Sequence, residues 1–140
     1  MEVIMVALLK DNNDVGKYLE ISFVYHDRDE DEGSKLIANF YLEDDLEIGL
    51  KFRWTNQVLK LFVDLLKQFP IEKYKGIFSH YEKHLEMRWE SQPQSGSYNL
   101  TFDLLTEDED QFSISVSKEQ IHDFGLALEL LMQNAPTSEE

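Results

Sequence analysis

Two clusters in this 140-residue chain carry residue types that could do chemistry. The first is Asp27-x-Asp29-x-Asp31, with carboxylates at the alternating spacing that opens a calcium loop. An EF-hand also needs glycine at its sixth position and a bidentate glutamate at its twelfth. Here Glu32 holds the sixth position, Gly33 comes one late, Ala38 holds the twelfth, and the flanks read as strands. The second cluster is His80-Tyr-Glu-Lys-His84. On a helix its two imidazoles would share a face and could ligate zinc, but a zincin needs glutamate directly after the first histidine. Glu82 comes two after, and the local period is two. His80, Glu82, His84, Glu86 and Arg88 form one face of a strand, and Leu85, Met87 and Trp89 the other. Neither cluster supports a metal site, so no metal and no cofactor are expected. His26 and His122 have no partner that sequence can assign.

Other catalytic chemistry has little foothold. The absence of cysteine removes a thiolate nucleophile, a disulfide and a cysteine-based zinc site. No G-x-S-x-G elbow occurs, and Ser95-Gly96-Ser97 sits in a Gly/Pro-containing loop. The six glycines are scattered and build no phosphate-binding loop. Paired carboxylates are available in number, but none stands in an apolar stretch that would raise its pKa. The chain is therefore expected not to be an enzyme.

Charge is the strongest signal. The formal net charge is -15, unevenly placed. Residues 51–88 hold eight Lys/Arg against four acids, a local charge of +4, which leaves five basic residues and 24 acids elsewhere. The acids gather in Asp27–Glu32, Glu43–Asp45 and Glu107–Asp110. Such a field repels nucleic acid and anionic membrane and attracts basic surfaces. Trp54, Tyr74 and Tyr81 punctuate the basic stretch, but +4 within so acidic a chain is a weak nucleic-acid footprint.

The elements that must carry these groups follow from periodicity. Leu19, Ile21, Phe23 and Tyr25 alternate with Glu20, Ser22 and His26. Leu36 to Leu42, Leu46 to Trp54, Leu85 to Trp89, Leu100 to Leu104 and Phe112 to Val116 repeat the alternation, and residues 3–9 add a further strand. Strict alternation marks half-buried strands in an antiparallel sheet. Two segments switch to helical spacing. Val58, Phe62, Leu65, Leu66 and Phe69 line one face of 56–69, with Thr55 as N-cap and Pro70 as the stop. Ile121, Phe124, Leu128, Leu131 and Met132 line 118–134, behind a Ser117/Gln120 capping box. The expected fold is α+β: a mostly antiparallel, curved sheet of six or seven strands with two helices packed on one face. The expected core includes Leu50, Phe52, Trp54, Phe62, Leu66, Trp89, Leu100, Phe102, Ile114, Phe124 and Leu128.

The length suits a single domain over 1–134, with 135–140 a flexible acidic tail. Residues 3–9 make a poor signal peptide and no segment has the length of a membrane span, so a cytoplasmic protein is expected.

The order of features over 34–133 resembles the WapI-type toxin-immunity proteins and related small α+β domains of bacteria. The resemblance lies in a strand ending at Trp54, a helix carrying Phe62 and Leu65–Leu66, the link Lys75-Gly-Ile-Phe-Ser79, and Leu85-Glu-Met87. A Gly-containing hairpin, Phe112-Ser-Ile-Ser-Val116 and a last amphipathic helix complete it. The resemblance implies a non-enzymatic protein that neutralises a co-encoded toxin, and it carries over no functional residues. A compact acidic protein suits an inhibitor of a basic, nucleic-acid-attacking toxin, reached by electrostatic steering. The alternative is an acidic nucleic-acid mimic that blocks a defence or restriction nuclease; an enzyme with an unrecognised site stands third. On either of the first two views the partner is a basic protein, with no direct nucleic-acid or membrane contact and an unassigned oligomeric state.

A last expectation concerns placement. If strand 46–54 runs up, helix 55–69 returns, and strand 84–91 then lies parallel to 46–54, loops 43–45 and 107–110 fall at one end. Glu43, Asp44, Asp45, Glu107, Asp108, Glu109 and Asp110 are then the candidate partner-binding residues.

Overall fold

The computed structural model describes residues 6–27, 33–79, 85–104 and 109–137. Asp29, Asp31, Glu32, His80 and His84 lie outside these, as do Glu107 and Asp108. Among the described residues, eight strands and two α-helices follow in the order β1 (Ala7–Lys10), β2 (Tyr18–His26), β3 (Gly33–Leu42), β4 (Asp45–Thr55), α1 (Asn56–Lys67), β5 (Ile77–Phe78), β6 (Leu85–Gln92), β7 (Ser97–Leu104), β8 (Gln111–Ser117) and α2 (Lys118–Asn134).

The strands form two four-stranded antiparallel meanders, β1-β2-β3-β4 and β5-β6-β7-β8. The α+β class holds; the single six- or seven-stranded sheet does not. The expected crossover from 46–54 to 84–91 within one sheet is also overturned, because β6 pairs with β5 and β7 while β4 pairs with β3. Alternation reports that a strand has one wet face, not which sheet it joins. The two-residue β5 carries too little pattern to be read, yet it occupies the edge of β6 that a parallel neighbour would need.

Both caps form as the residue types require. Thr55 Oγ1 accepts from Val58 N at 3.4 Å. Ser117 Oγ accepts from Gln120 N at 3.1 Å, and Gln120 Oε1 accepts from Ser117 N at 2.7 Å. The Gln120 amide also donates to Lys10 O at 3.0 Å, tying α2 to β1. The helices cross at Gly125, where an added Cβ would lie 2.8 Å from Leu66 Cβ. Lys67 and Glu129 pair across that crossing at 2.6 Å.

One apolar core joins both sheets and both helices. Phe40 of the first sheet meets Phe102 and Phe112 of the second, with ring centroids at 5.8 and 5.0 Å. Phe62 of α1 meets Trp54 and Phe78, each at 5.3 Å. Of the expected core residues Trp89 is only partly buried, packing edge-on against Phe69 at 5.2 Å; the others are buried. Leu46 departs from the expected inner row. A register shift between Phe40 and Tyr41 leaves Phe40 opposite Ile48 but Tyr41 opposite Leu46. Glu47 is the extra residue of a bulge, and a one-residue slip moves Leu46 to the outer face. It is 56% exposed.

A buried polar chain closes the far end of the first sheet. His26 Nδ1 donates to Ser34 Oγ at 2.7 Å, and Ser34 Oγ donates to Asn56 Oδ1 at 3.1 Å. Asn56 Nδ2 donates in turn to Asp27 O. His26 N donates to Pro136 O at 2.7 Å, so the segment after α2 docks here.

Candidate functional site

Glu43 and Asp44 form the two-residue turn between β3 and β4, flanked by the Leu42 and Asp45 pair. Both have positive φ, 52° and 66°. That is the backbone a type I′ hairpin turn demands, and Asn-Gly is its favoured sequence because it adopts positive φ with least strain. Here two acids occupy it. The 11–17 turn supports them from beside. Asp11 Oδ1 accepts from Asn13 N at 2.7 Å and Asp14 N at 3.1 Å, and Asp14 Oδ1 accepts from Gly16 N at 3.1 Å. Gly16 O then accepts from Asp44 N at 3.0 Å. A Cβ on Gly16 would lie 3.0 Å from Glu43 Cα, so a larger residue there would push the turn backbone away by a few tenths of an ångström.

The same turn reaches the second sheet. Asp11 Oδ2 accepts from Ser115 N at 2.8 Å, and Asn12 N donates to Ser115 O at 2.8 Å. The Lys17 ammonium lies 5.6 Å from the Phe112 ring centre, two residues after Asp110. Asp110 O accepts from Leu104 N at 2.9 Å, closing the loop that links β7 to β8. Glu109 in that loop has a positive φ of 50°. Contacts through residues 11–17 therefore run from the 43–45 turn to Phe112 and Ser115 of β8. Gly33 pairs with Thr55 at the opposite end of the first sheet.

On the outer face beside the 43–45 turn lies a row that sequence periodicity did not reveal. Lys10, Tyr18, Tyr41 and Leu46 stand in register across all four strands of the first sheet. Tyr18 and Tyr41 stack with ring centres 4.7 Å apart and planes 16° apart. The Lys10 ammonium sits 6.0 Å from the Tyr18 ring centre. Desolvation first, then the charges of Asp44 and Glu20, the neighbouring Tyr41 and a hydrogen bond to Asp44, hold the Tyr18 phenol above its ordinary range. Its hydroxyl stays protonated at neutral pH beside the Asp44 carboxylate. Exposed apolar side chains stand in and beside the row: Leu46 ends it, and Leu8, opposite Glu20, lies in the next row. The signal was present as Tyr18 and Tyr41 at opposite ends of a hairpin, but only the pairing register places them together.

Elsewhere the charged groups form ordinary pairs. Arg88 Nε donates to Asp103 at 2.7 Å, and the Gln111 amide donates to Asp103 at 2.6 Å. The Arg88 hydrogen bond, ahead of the opposing desolvation and then the Gln111 bond, holds the Asp103 carboxyl below its usual range. Lys67 is raised by its bond to Glu129, and Arg88 by its bond to Asp103. Each of these shifts moves a titration away from neutrality. Shallow hollows of about 240 Å³ at Lys75, Arg88 and Thr101, 260 Å³ at Leu8 and Asp123, and 220 Å³ at Lys60 and Glu129 open on the surface. Among the described residues no group of three His, Asp or Glu gathers as a metal site would. No helix there is long and apolar enough to cross a membrane.

Neither the family models nor the curated proteins give a match to this chain. Among solved structures it is similar to the structure of the plant transcriptional regulator PBF-2, at 11% identity and a TM-score of 0.50. The likeness covers 94% of this chain and 82% of that one. At that identity it shows a shared fold: paired antiparallel sheets with helices against them.

Proposed function

We propose that this chain is a non-enzymatic acidic binding protein, an immunity protein that neutralises a basic, nucleic-acid-attacking toxin by covering its active surface. The observation that carries this is the 43–44 turn. Carboxylates occupy both positive-φ positions of a hairpin whose backbone favours Asn-Gly, and a dedicated glycine-backed turn holds them in place. Strain of that kind concentrates where a surface is used. The 24 acids against five basic residues outside 51–88, Glu109 and Asp110 among them, extend the same sign of field. A field of that sign speeds encounter with a basic partner and discourages contact with phosphate or anionic lipid, which fits a cytoplasmic protein acting on protein.

The test is capture of the partner by the tagged full chain from source cells at low salt, followed by association kinetics with the captured protein. Expression of that protein should arrest growth, and this chain should relieve the arrest. The triple reversal Glu43→Lys, Asp45→Lys, Asp110→Lys should slow association about tenfold and flatten its salt dependence. Unchanged kinetics would mean that the acids only keep the loops wet. Capture of a restriction nuclease, with no growth arrest to relieve, would favour the nucleic-acid mimic instead.

A further inference from the structure

The geometry points to the Tyr18–Tyr41 platform as the docking surface for an arginine-bearing basic segment of the partner, an assignment that rests on the binding function just proposed. Three observations carry it. The two rings are stacked and stand on the outer face of the first sheet, in a row ending at the exposed Leu46. A flat aromatic surface edged by exposed apolar side chains is the make-up of an interface centre rather than of a solvated sheet face. The platform already accepts a cation, since the Lys10 ammonium lies 6.0 Å from the Tyr18 ring centre. Carboxylates border it: Glu20 in the next row, and Asp44 in the adjoining turn, whose charge acts on the Tyr18 phenol. Glu43, Asp45 and Glu47 stand around the adjoining turn.

This set of groups selects among cations. A guanidinium is planar, stacks on a tyrosine face and presents paired donors that a carboxylate accepts together. An ammonium offers a point charge and no stacking plane. A nucleic acid would gain the stacking but would bring phosphates against Glu20, Glu43 and Asp45, so the charge complementarity is with a basic protein segment.

The experiment titrates the isotope-labelled full chain with nona-arginine peptide, nona-lysine peptide and an oligothymidylate, in wild type, Tyr41→Leu and Tyr41→Phe. Tyr41 lies on the wet face, and Tyr41→Phe keeps the ring, so loss of folding in Tyr41→Leu alone would not disable the test. The arginine peptide should bind about fivefold to tenfold more tightly than the lysine peptide, the span expected of a partly desolvated cation–π contact. Amide shifts should centre on Tyr18, Tyr41 and Leu46. Tyr41→Leu should abolish the arginine preference, and Tyr41→Phe should keep it. Equal affinity for the two peptides in wild type, or a preference that survives Tyr41→Leu, overturns the platform but leaves an acidic end that binds cations. Failure of both peptides to bind at low salt overturns the platform and the basic-partner function together. Tyr41-dependent binding of the oligothymidylate assigns the surface to nucleic acid and overturns the inference.

Discussion

At the scale of single residues, Glu43 is the position where conformation and charge oppose each other most clearly. Its φ of 52° is adopted by glycine without penalty and by glutamate only with strain. Glu43→Gly should therefore stabilise the fold by about 0.5–1 kcal/mol in urea denaturation, while Glu43→Ala, which keeps the strain, should not. Equal effects of the two substitutions would show that the turn is not strained at this residue. The same Glu43→Gly protein should associate more slowly with a basic partner, because it has lost a carboxylate from the turn. Asp44 is a poorer probe. Its amide bonds to Gly16 O and its charge acts on the Tyr18 phenol, so substitution there disturbs more than the charge of the turn. Ser34 and His26 show another limit of single residues. Sequence offered His26 no partner, and its bond to Ser34 was hidden because it follows from β2–β3 register.

At the scale of elements, α1 shows how strongly amphipathic spacing fixes packing. Phe62 is 1% exposed and wedged between Trp54 and Phe78. Phe62→Ala should lower the free energy of unfolding by about 3–5 kcal/mol, the range for emptying a buried aromatic site. A loss below about 1 kcal/mol would mean that the helix presents another face. The two helices, their caps and most buried strand positions were legible because each is written in local spacing: Thr55 before the apolar stripe of α1, Ser117 and Gln120 before that of α2. What was not legible depends on pairing. Nothing in the alternation of Leu85, Met87 and Trp89 says whether their strand joins the first four or begins a second sheet. The bulge at Glu47 is one residue out of step, too small a signal to read, yet it turns Leu46 from the core to the surface. For the candidate site, the acids of 43–45 could be read as a hairpin loop directly from composition. The Tyr18–Tyr41 stack could not, because 22 residues separate partners that only the register Tyr18 to Tyr41 brings opposite.

At the scale of the whole molecule, the net charge of -15 and the internal pairs respond to acid in opposite directions. Self-repulsion among carboxylates weakens the compact state, so protonating the exposed ones as pH falls from 7 should first raise stability. Asp103 opposes this later in the titration. Its folded-state carboxyl is held below the ordinary aspartate value, chiefly by Arg88, so the unfolded chain takes up the proton first. Its contribution is therefore fully present above that value and lost as pH falls through it toward the lower folded-state value. Arg88 and Asp103 are partly exposed, with side chains 47% and 31% accessible, so solvent screens the pair and its worth is about 0.2–1 kcal/mol. Urea midpoints measured across pH should accordingly rise on mild acidification and then fall below about pH 4, where Asp103 begins to protonate in the unfolded chain. In Asp103→Asn the rise should remain, since it belongs to the whole charge distribution, and the later fall should be shallower. The gap between the two proteins should be present at pH 7, close below pH 4, and narrow at pH 7 when salt is added. A gap that stays constant from pH 7 down to the most acid condition would show that Asp103 holds its place by packing rather than by charge.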